Sequence, residues 1–224
     1  MCKKFALLFL MIFTANAWSQ NYNFVLGNSL NTLFITANVL DDPTVTVEGS
    51  PYINNKFLSS SLSCLTENTP PMRYNVYKEE MEFVHEGKLY YVKKNDTCVI
   101  TLLNNSYKYF ENYNKEKNSG YLLILNKLNN SKYILYKKEK VVLIPEFIPS
   151  SSYGEAKPAT YAIENPIYFI SIQDKLVEFP KKKSDLFLLF PNNKQAIESF
   201  LKDKKISFNE ESKIVELVDF LNSL

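Results

Sequence analysis

The chain has 224 residues, 46% of them hydrophobic and 14% aromatic, which is ample for a packed core and excludes a wholly disordered sequence. Its 26 basic and 24 acidic residues leave a formal charge of +2, which excludes the strong positive field of a nucleic-acid-binding domain. With 5 glycines and 1 histidine it is poorly equipped for Gly-rich phosphate loops or His-based metal sites, and no cofactor is expected.

The N-terminus has the pattern of a cleavable export signal. Met1-Cys2-Lys3-Lys4 is a short positive stretch, residues 5–13 are almost uninterruptedly apolar, and Ala15 and Ala17 stand at the spacing of a signal peptidase site. The apolar run is far shorter than the roughly 20 residues that span a bilayer. Cleavage is expected after Ala17 or Ser19, the alternative being an uncleaved anchor. Cys2 precedes the apolar run, so it is not a lipid-attachment cysteine. The leader, residues 1–19, carries two lysines and no acid, so the remaining 205 residues balance 24 basic against 24 acidic side chains. The expectation is an exported protein of the periplasm or cell surface that neither spans the membrane nor binds nucleic acid.

Residues 20–180 are predicted to form a mainly antiparallel β domain of hairpins and meander. Residues 33–40 and 44–48 are candidate strands, followed by a turn at Gly49-Ser50-Pro51. After Pro70-Pro71, Met72, Tyr74 and Val76 alternate with Arg73, Asn75 and Tyr77. Residues 81–85 and 88–92 form a hairpin around Glu86-Gly87. Residues 98–103 are a further strand. Residues 121–125 and 132–136 form a second hairpin around Asn129-Asn130, and 141–144 is a strand ending at Pro145. A loop opens at Ser150 and runs to Lys157-Pro158. Residues 160–163, 167–171 and 175–179 are short strands, with turns at Asn165-Pro166 and Gln173-Asp174.

Across residues 181–224 the apolar period changes to three or four. Residues 185–190 predict a short helix stopped by Pro191. Asn192 with Gln195 forms a capping box ahead of Ala196, Ile197, Phe200 and Leu201. Ser207 with Glu210 forms a second box ahead of Ile214, Leu217, Val218, Leu221 and Leu224. Two or three C-terminal helices are expected, packed on the preceding sheet. The predicted class is α+β, mainly β; terminal helices argue against an outer-membrane barrel.

Few residues suggest chemistry. Cys64 and Cys98 are either a disulfide or two buried thiols; a bridge closing that loop is worth about 3–4 kcal/mol. They lack the spacing of a metal site. His85 stands in an alternating strand beside Glu86 and is expected to be a solvated or hydrogen-bonded hairpin residue rather than a base. The acid pairs Asp41-Asp42, Glu79-Glu80 and Glu210-Glu211 are expected to be solvated turn and cap residues. Lys181, Lys182 and Lys183 form the one local charge cluster, either an anion contact or a solvated helix entrance. Asn95-Asp96-Thr97, Asn104-Asn105-Ser106 and Asn129-Asn130-Ser131 match the glycosylation pattern, which matters only in a eukaryotic host.

Several short motifs stand in a recognisable order. They are Gly49-Ser50-Pro51-Tyr52, Pro71-Met72-Arg73-Tyr74-Asn75, and Tyr153-Gly154 with Lys157-Pro158-Ala159. Lys175-Leu176-Val177-Glu178, Pro180-Lys181-Lys182-Lys183 and the closing Leu217-Val218-Asp219-Phe220-Leu221-Asn222-Ser223-Leu224 follow. With the leader, this order resembles a group of uncharacterised small exported envelope proteins of Bacteroidota-type bacteria, over most of the mature chain. The resemblance implies a two-membrane host and an envelope location, and it implies no catalytic residues. Cys64 and Cys98 stand outside its pattern. The function expected is non-enzymatic binding or scaffolding, with an envelope protein, glycan or lipid as partner. The alternative is an envelope hydrolase whose carboxylates converge only in the fold.

Overall fold

The computed structural model describes residues 33–36, 47–126, 131–149 and 154–224. The leader, residues 37–46 of the first two candidate strands, the Asn129-Asn130 turn and the start of the loop at Ser150 lie outside the described residues. So do Asp41 and Asp42.

The protein is mainly antiparallel β in two sheets, with helices at the C-terminal end. The smaller sheet has the order β1-β5-β4-β3, from Phe34–Thr36 (β1), Arg73–Asn75 (β3), Glu80–His85 (β4) and Lys88–Val92 (β5). The larger has the order β11-β10-β9-β8-β7-β6-β2. Its strands are Ser60–Leu62 (β2), Val99–Leu102 (β6), Asn105–Phe110 (β7), Gly120–Ile124 (β8), Ile134–Ile144 (β9), Thr160–Ile172 (β10) and Lys175–Glu178 (β11). The β4–β5 hairpin turns through Glu86 and Gly87 at φ 48° and 73°. The β10–β11 hairpin turns through Gln173 and Asp174 at 49° and 63°. Positive φ at both central residues matches the right-handed strand twist.

Three segments differ from the sequence expectation. Asn165-Pro166 is not a turn: β10 runs straight through it, and the register against β9 shifts between Glu164 and Ile167. A bulge leaves a residue outside the ladder, which suits a proline with no N–H. Residues 134–136 and 141–144 belong to one strand, β9, continuous through Lys137-Lys138-Glu139-Lys140 because β10 pairs along it. β7 was not foreseen; Tyr107 and Tyr109 face inward opposite Leu123 and Tyr121.

One face of the larger sheet is covered twice. Over β6–β8 lies the smaller sheet, whose Met72, Tyr74, Met81 and Phe83 share a core with Ile100, Tyr107, Tyr121 and Leu123. Over β9–β11 lie the helices α1 (Lys183–Leu189), α2 (Lys194–Asp203) and α3 (Glu211–Asn222). Leu186, Ile197, Ile214, Leu217, Val218 and Leu221 pack there on Leu135, Ile170 and Phe179. Each of these aliphatic side chains contributes about 1.5–3 kcal/mol on burial. Leu125 touches both cores and joins them.

The two predicted capping boxes are not formed. Residues 191–193 make a 3-10 turn, α2 starts after Asn193 and α3 after Glu210, and neither start has a side-chain cap. Ser207 Oγ instead accepts the Asn209 N–H at 3.4 Å. Leu224 lies beyond α3 and is half-exposed. Packing rather than capping holds α3, together with Asn222, whose amide accepts the Tyr133 N–H at 2.7 Å and donates to the Tyr133 carbonyl at 2.8 Å. Cys64 and Cys98 are bonded, their Cα atoms 5.3 Å apart, tying the chain after β2 to the start of β6.

Candidate functional site

The most unusual chemistry lies between the sheets. β8 spans Gly120–Ile124 but pairs with β9 only at Leu123 and Ile124, so its first three residues are unpaired on that side and β9 beyond Lys137 pairs only with β10. Glu79, in the β3–β4 turn at φ 56°, turns its carboxylate into that gap. There it meets the ammonium of Lys138, a residue only 4% exposed. The same carboxylate accepts the Tyr74 hydroxyl at 2.7 Å and the Tyr121 backbone N–H at 2.9 Å. Lys138 also donates to the Tyr74 oxygen at 3.2 Å. Gly120 is required here, because a Cβ at that position would run into the Glu79 carboxylate. Beside this group the Tyr107 hydroxyl donates to Glu139 at 3.3 Å. The rings of Tyr107 and Tyr121 pack on Tyr74 at 5.3 and 5.7 Å. The Tyr121 hydroxyl is buried with no partner among the described residues.

Desolvation dominates the electrostatics. Burial pulls the Lys138 ammonium below its ordinary value, and Glu79 opposes that pull. Burial raises the Glu139 carboxyl, against the opposing influence of Lys137, Tyr107 and Lys138. Tyr74, Tyr107 and Tyr121 are all pushed up by burial first, then by nearby carboxylates: Glu79 for Tyr74, Glu139 for Tyr107 and Glu80 for Tyr121.

The cluster opens outward. A cavity of about 220 Å³ is lined by Glu79, Lys138, Glu139, Tyr113 and Asn118. At Tyr113, Asn118 and Lys140 it joins a groove of about 850 Å³ over the face of the larger sheet opposite the smaller sheet and helices. Ile167, Phe169 and Leu176 form the groove floor, and the β7–β8 loop, residues 111–119, forms its wall. That loop is fixed by its own hydrogen bonds. The Asn112 N–H donates to Ser119 Oγ at 3.1 Å, the Tyr113 N–H to the Asn118 carbonyl at 2.8 Å, and the Asn118 N–H to Asn114 Oδ1 at 2.9 Å. The Tyr113 ring stands edge-on to Phe169 at 5.4 Å. Its hydroxyl is pushed up to about 12 by burial, then by Glu79 and Glu116.

No known protein family, no curated protein and no solved structure matches this chain.

The groups singled out from the sequence are dispersed. Glu79 and Glu80 are partly buried and engaged: Glu79 closes the buried cluster, and Glu80 pairs with Lys94 at 2.8 Å. Glu211 is likewise engaged, accepting the Tyr168 hydroxyl at 3.0 Å and pairing with Lys137 at 2.8 Å. Glu82, which is 1% exposed, is closed by Arg73 at 2.8 Å and the Tyr52 hydroxyl at 3.1 Å. His85 lies at the β4–β5 turn, 3.9 Å from Glu86, and is not part of the cluster. Lys181 pairs with Glu178 at 3.0 Å, and Lys183 pairs with Glu198, so those two lysines are already compensated. Asn104 is exposed, Asn95 is half-buried, and Asn129 is outside the described residues. No cluster able to hold a metal occurs among the described residues, and no described helix is long and apolar enough to cross a membrane. The sequence reading missed Tyr74, Tyr107, Tyr113, Tyr121, Lys138 and Glu139. The one available signal was a charge run, Lys137 to Lys140, inside strand-forming sequence.

Proposed function

We propose that this chain is an exported cell-envelope protein that works by non-covalent binding, and that its ligand lies in the groove over the larger sheet. The observation that carries this reading is a division of labour. Glu79 and Lys138 saturate each other and the groups around them. The adjoining groove presents a Tyr hydroxyl and Asn amides on a hydrogen-bonded loop over an apolar floor, the usual composition of a binding cleft. Export is supported by the leader, by a disulfide that suits an oxidising compartment, and by the resemblance to exported envelope proteins.

The hydrolase alternative draws on one observation: Glu79 and Glu139 line the same cavity. Glu79, however, is committed to an ammonium, a phenol and a backbone N–H, and a proton-transfer group needs a free position toward substrate. Two measurements test the proposal. Mass spectrometry of the chain recovered from its host should find an N-terminus after Ala17 or Ser19. Solubilised envelope fractions should bind the mature chain and bind Tyr113→Ala more weakly. Equal retention by both proteins counts against the groove. A hydrolytic activity abolished by both Glu79→Gln and Glu139→Gln would establish the alternative.

A further inference from the structure

We infer that the groove takes an uncharged oligosaccharide, with Tyr113 as the ring against which a sugar packs; this rests on the groove being the binding site. The charges at the groove cancel locally. Lys140 pairs with Glu164, Glu178 pairs with Lys181, and Lys115 and Glu116 are neighbours of opposite sign. An ionic ligand would find no net charge among the described groove residues to offset its own desolvation. The unused groups are neutral and bifunctional. Among the described residues neither the Tyr113 hydroxyl nor the side-chain amides of Asn112 and Asn118 make a hydrogen bond. Amides that both donate and accept match adjacent sugar hydroxyls, which do the same. The half-buried Ile167 and Leu176 beside the Tyr113 ring provide an apolar surface for the C–H face of a sugar. The loop carrying these groups is already ordered by its own bonds, which lowers the entropy lost on binding.

A peptide added as a strand would need the open edge of β11. That strand has 4 residues, carries Lys175 and Glu178 at its ends and is followed by Pro180, features that blunt an edge against strand addition. A lipid chain would need a deep apolar trough, and Phe169 at the floor is only 2% exposed.

The test is titration of the isotopically labelled mature chain, followed by amide chemical shifts. The probes are maltotetraose, cellotetraose, N-acetylchitotetraose, tetragalacturonate and a strand-forming hexapeptide. At least one neutral tetrasaccharide should move amides of residues 112–119 and 175–178. Tyr113→Ala should weaken that binding about tenfold and Tyr113→Phe about threefold or less, with the α3 amides unmoved as the check on folding. If tetragalacturonate or the hexapeptide moves the groove amides and no neutral sugar does, the ligand class is overturned and the groove remains the site. Sugar-induced shifts confined to other surfaces, or no shift with any probe, overturn the inference and the placement of the site together.

Discussion

Replacing Glu79 by Gln keeps the shape of the side chain and removes its charge. Lys138 is 4% exposed, so its ammonium would remain buried without a counter-charge. Breaking a buried pair costs about 3–5 kcal/mol. Glu79 keeps 21% of its side chain exposed, so some water reaches the site and the lower end, about 3 kcal/mol, is expected. Lys138→Met should cost less, about 1–2 kcal/mol, because Glu79 keeps the Tyr74 hydroxyl and the Tyr121 N–H. The double variant should be no less stable than Glu79→Gln alone, giving a coupling of about 1–2 kcal/mol. The sign of the pH dependence follows from Lys138. Its folded value already lies below the ordinary one, and loss of Glu79 removes the group that holds it up. Between the folded and unfolded values the unfolded chain binds more protons, so stability rises with pH across that window. The deficit of Glu79→Gln should therefore shrink as pH rises from neutral toward the ordinary lysine range. Urea unfolding followed by far-UV circular dichroism measures this as a midpoint shift at constant slope. A Glu79→Gln protein within about 0.5 kcal/mol of wild type at neutral pH, or a deficit that grows with pH, would refute the reasoning.

Three further outcomes follow from the same geometry. Gly120→Ala should destabilise by about 1–3 kcal/mol, since its Cβ displaces the Glu79 carboxylate, and pairing it with Glu79→Gln should give less than the sum in urea melts. Tyr121→Phe removes an unpartnered buried hydroxyl and should leave stability unchanged or raise it by up to about 1 kcal/mol, whereas Tyr74→Phe, which takes a donor from Glu79, should lower it by about 1–2 kcal/mol. Tyr52, Tyr113, Tyr136 and Tyr168 are held up at about 12, so their contribution is complete below the unfolded value near 10 and is lost as pH rises through the folded values. The melting temperature should fall steeply above about pH 10, with late phenolate absorbance in the folded protein.

The parts of the fold legible in the sequence were those written in local chemistry. Glu86-Gly87 and Gln173-Asp174 announce their turns because both central positions need positive φ. The apolar period after Pro180 announces helices because one stripe must face the sheet. Legibility failed where tertiary pairing overrode local signals. Asn165-Pro166 has turn composition, yet β9 holds both sides of it in register and converts it to a bulge. In β7 the inward residues are tyrosines interleaved with Ser106, Lys108 and Phe110, so the strand carries little aliphatic signal. The site was hidden for the same reason. Lys138 sits in a run of charges that looks solvated, and Glu79 sits in a turn 59 residues away; the two meet where the first residues of β8 leave β9 unpaired.

Those unpaired residues of β8 also tie the charge cluster to the groove. The β7–β8 loop, which forms the groove wall, ends where Gly120 begins β8. The next residue, Tyr121, gives its N–H to Glu79 rather than to a strand partner on that side. Glu79 is held in turn by Lys138 of β9, the strand whose partner β10 supplies Ile167 and Phe169 to the groove floor. Wall and floor are thus joined through one buried ion pair. An apolar pair of similar size could fill the same space with comparable stability, since the desolvation of two charges offsets most of their attraction. It would not direct the Tyr121 N–H or set where the loop lands. The value of a charged pair at this seam lies in geometry: it places Tyr113 and Asn118 at a defined height above Phe169, which is the condition for a preorganised binding surface.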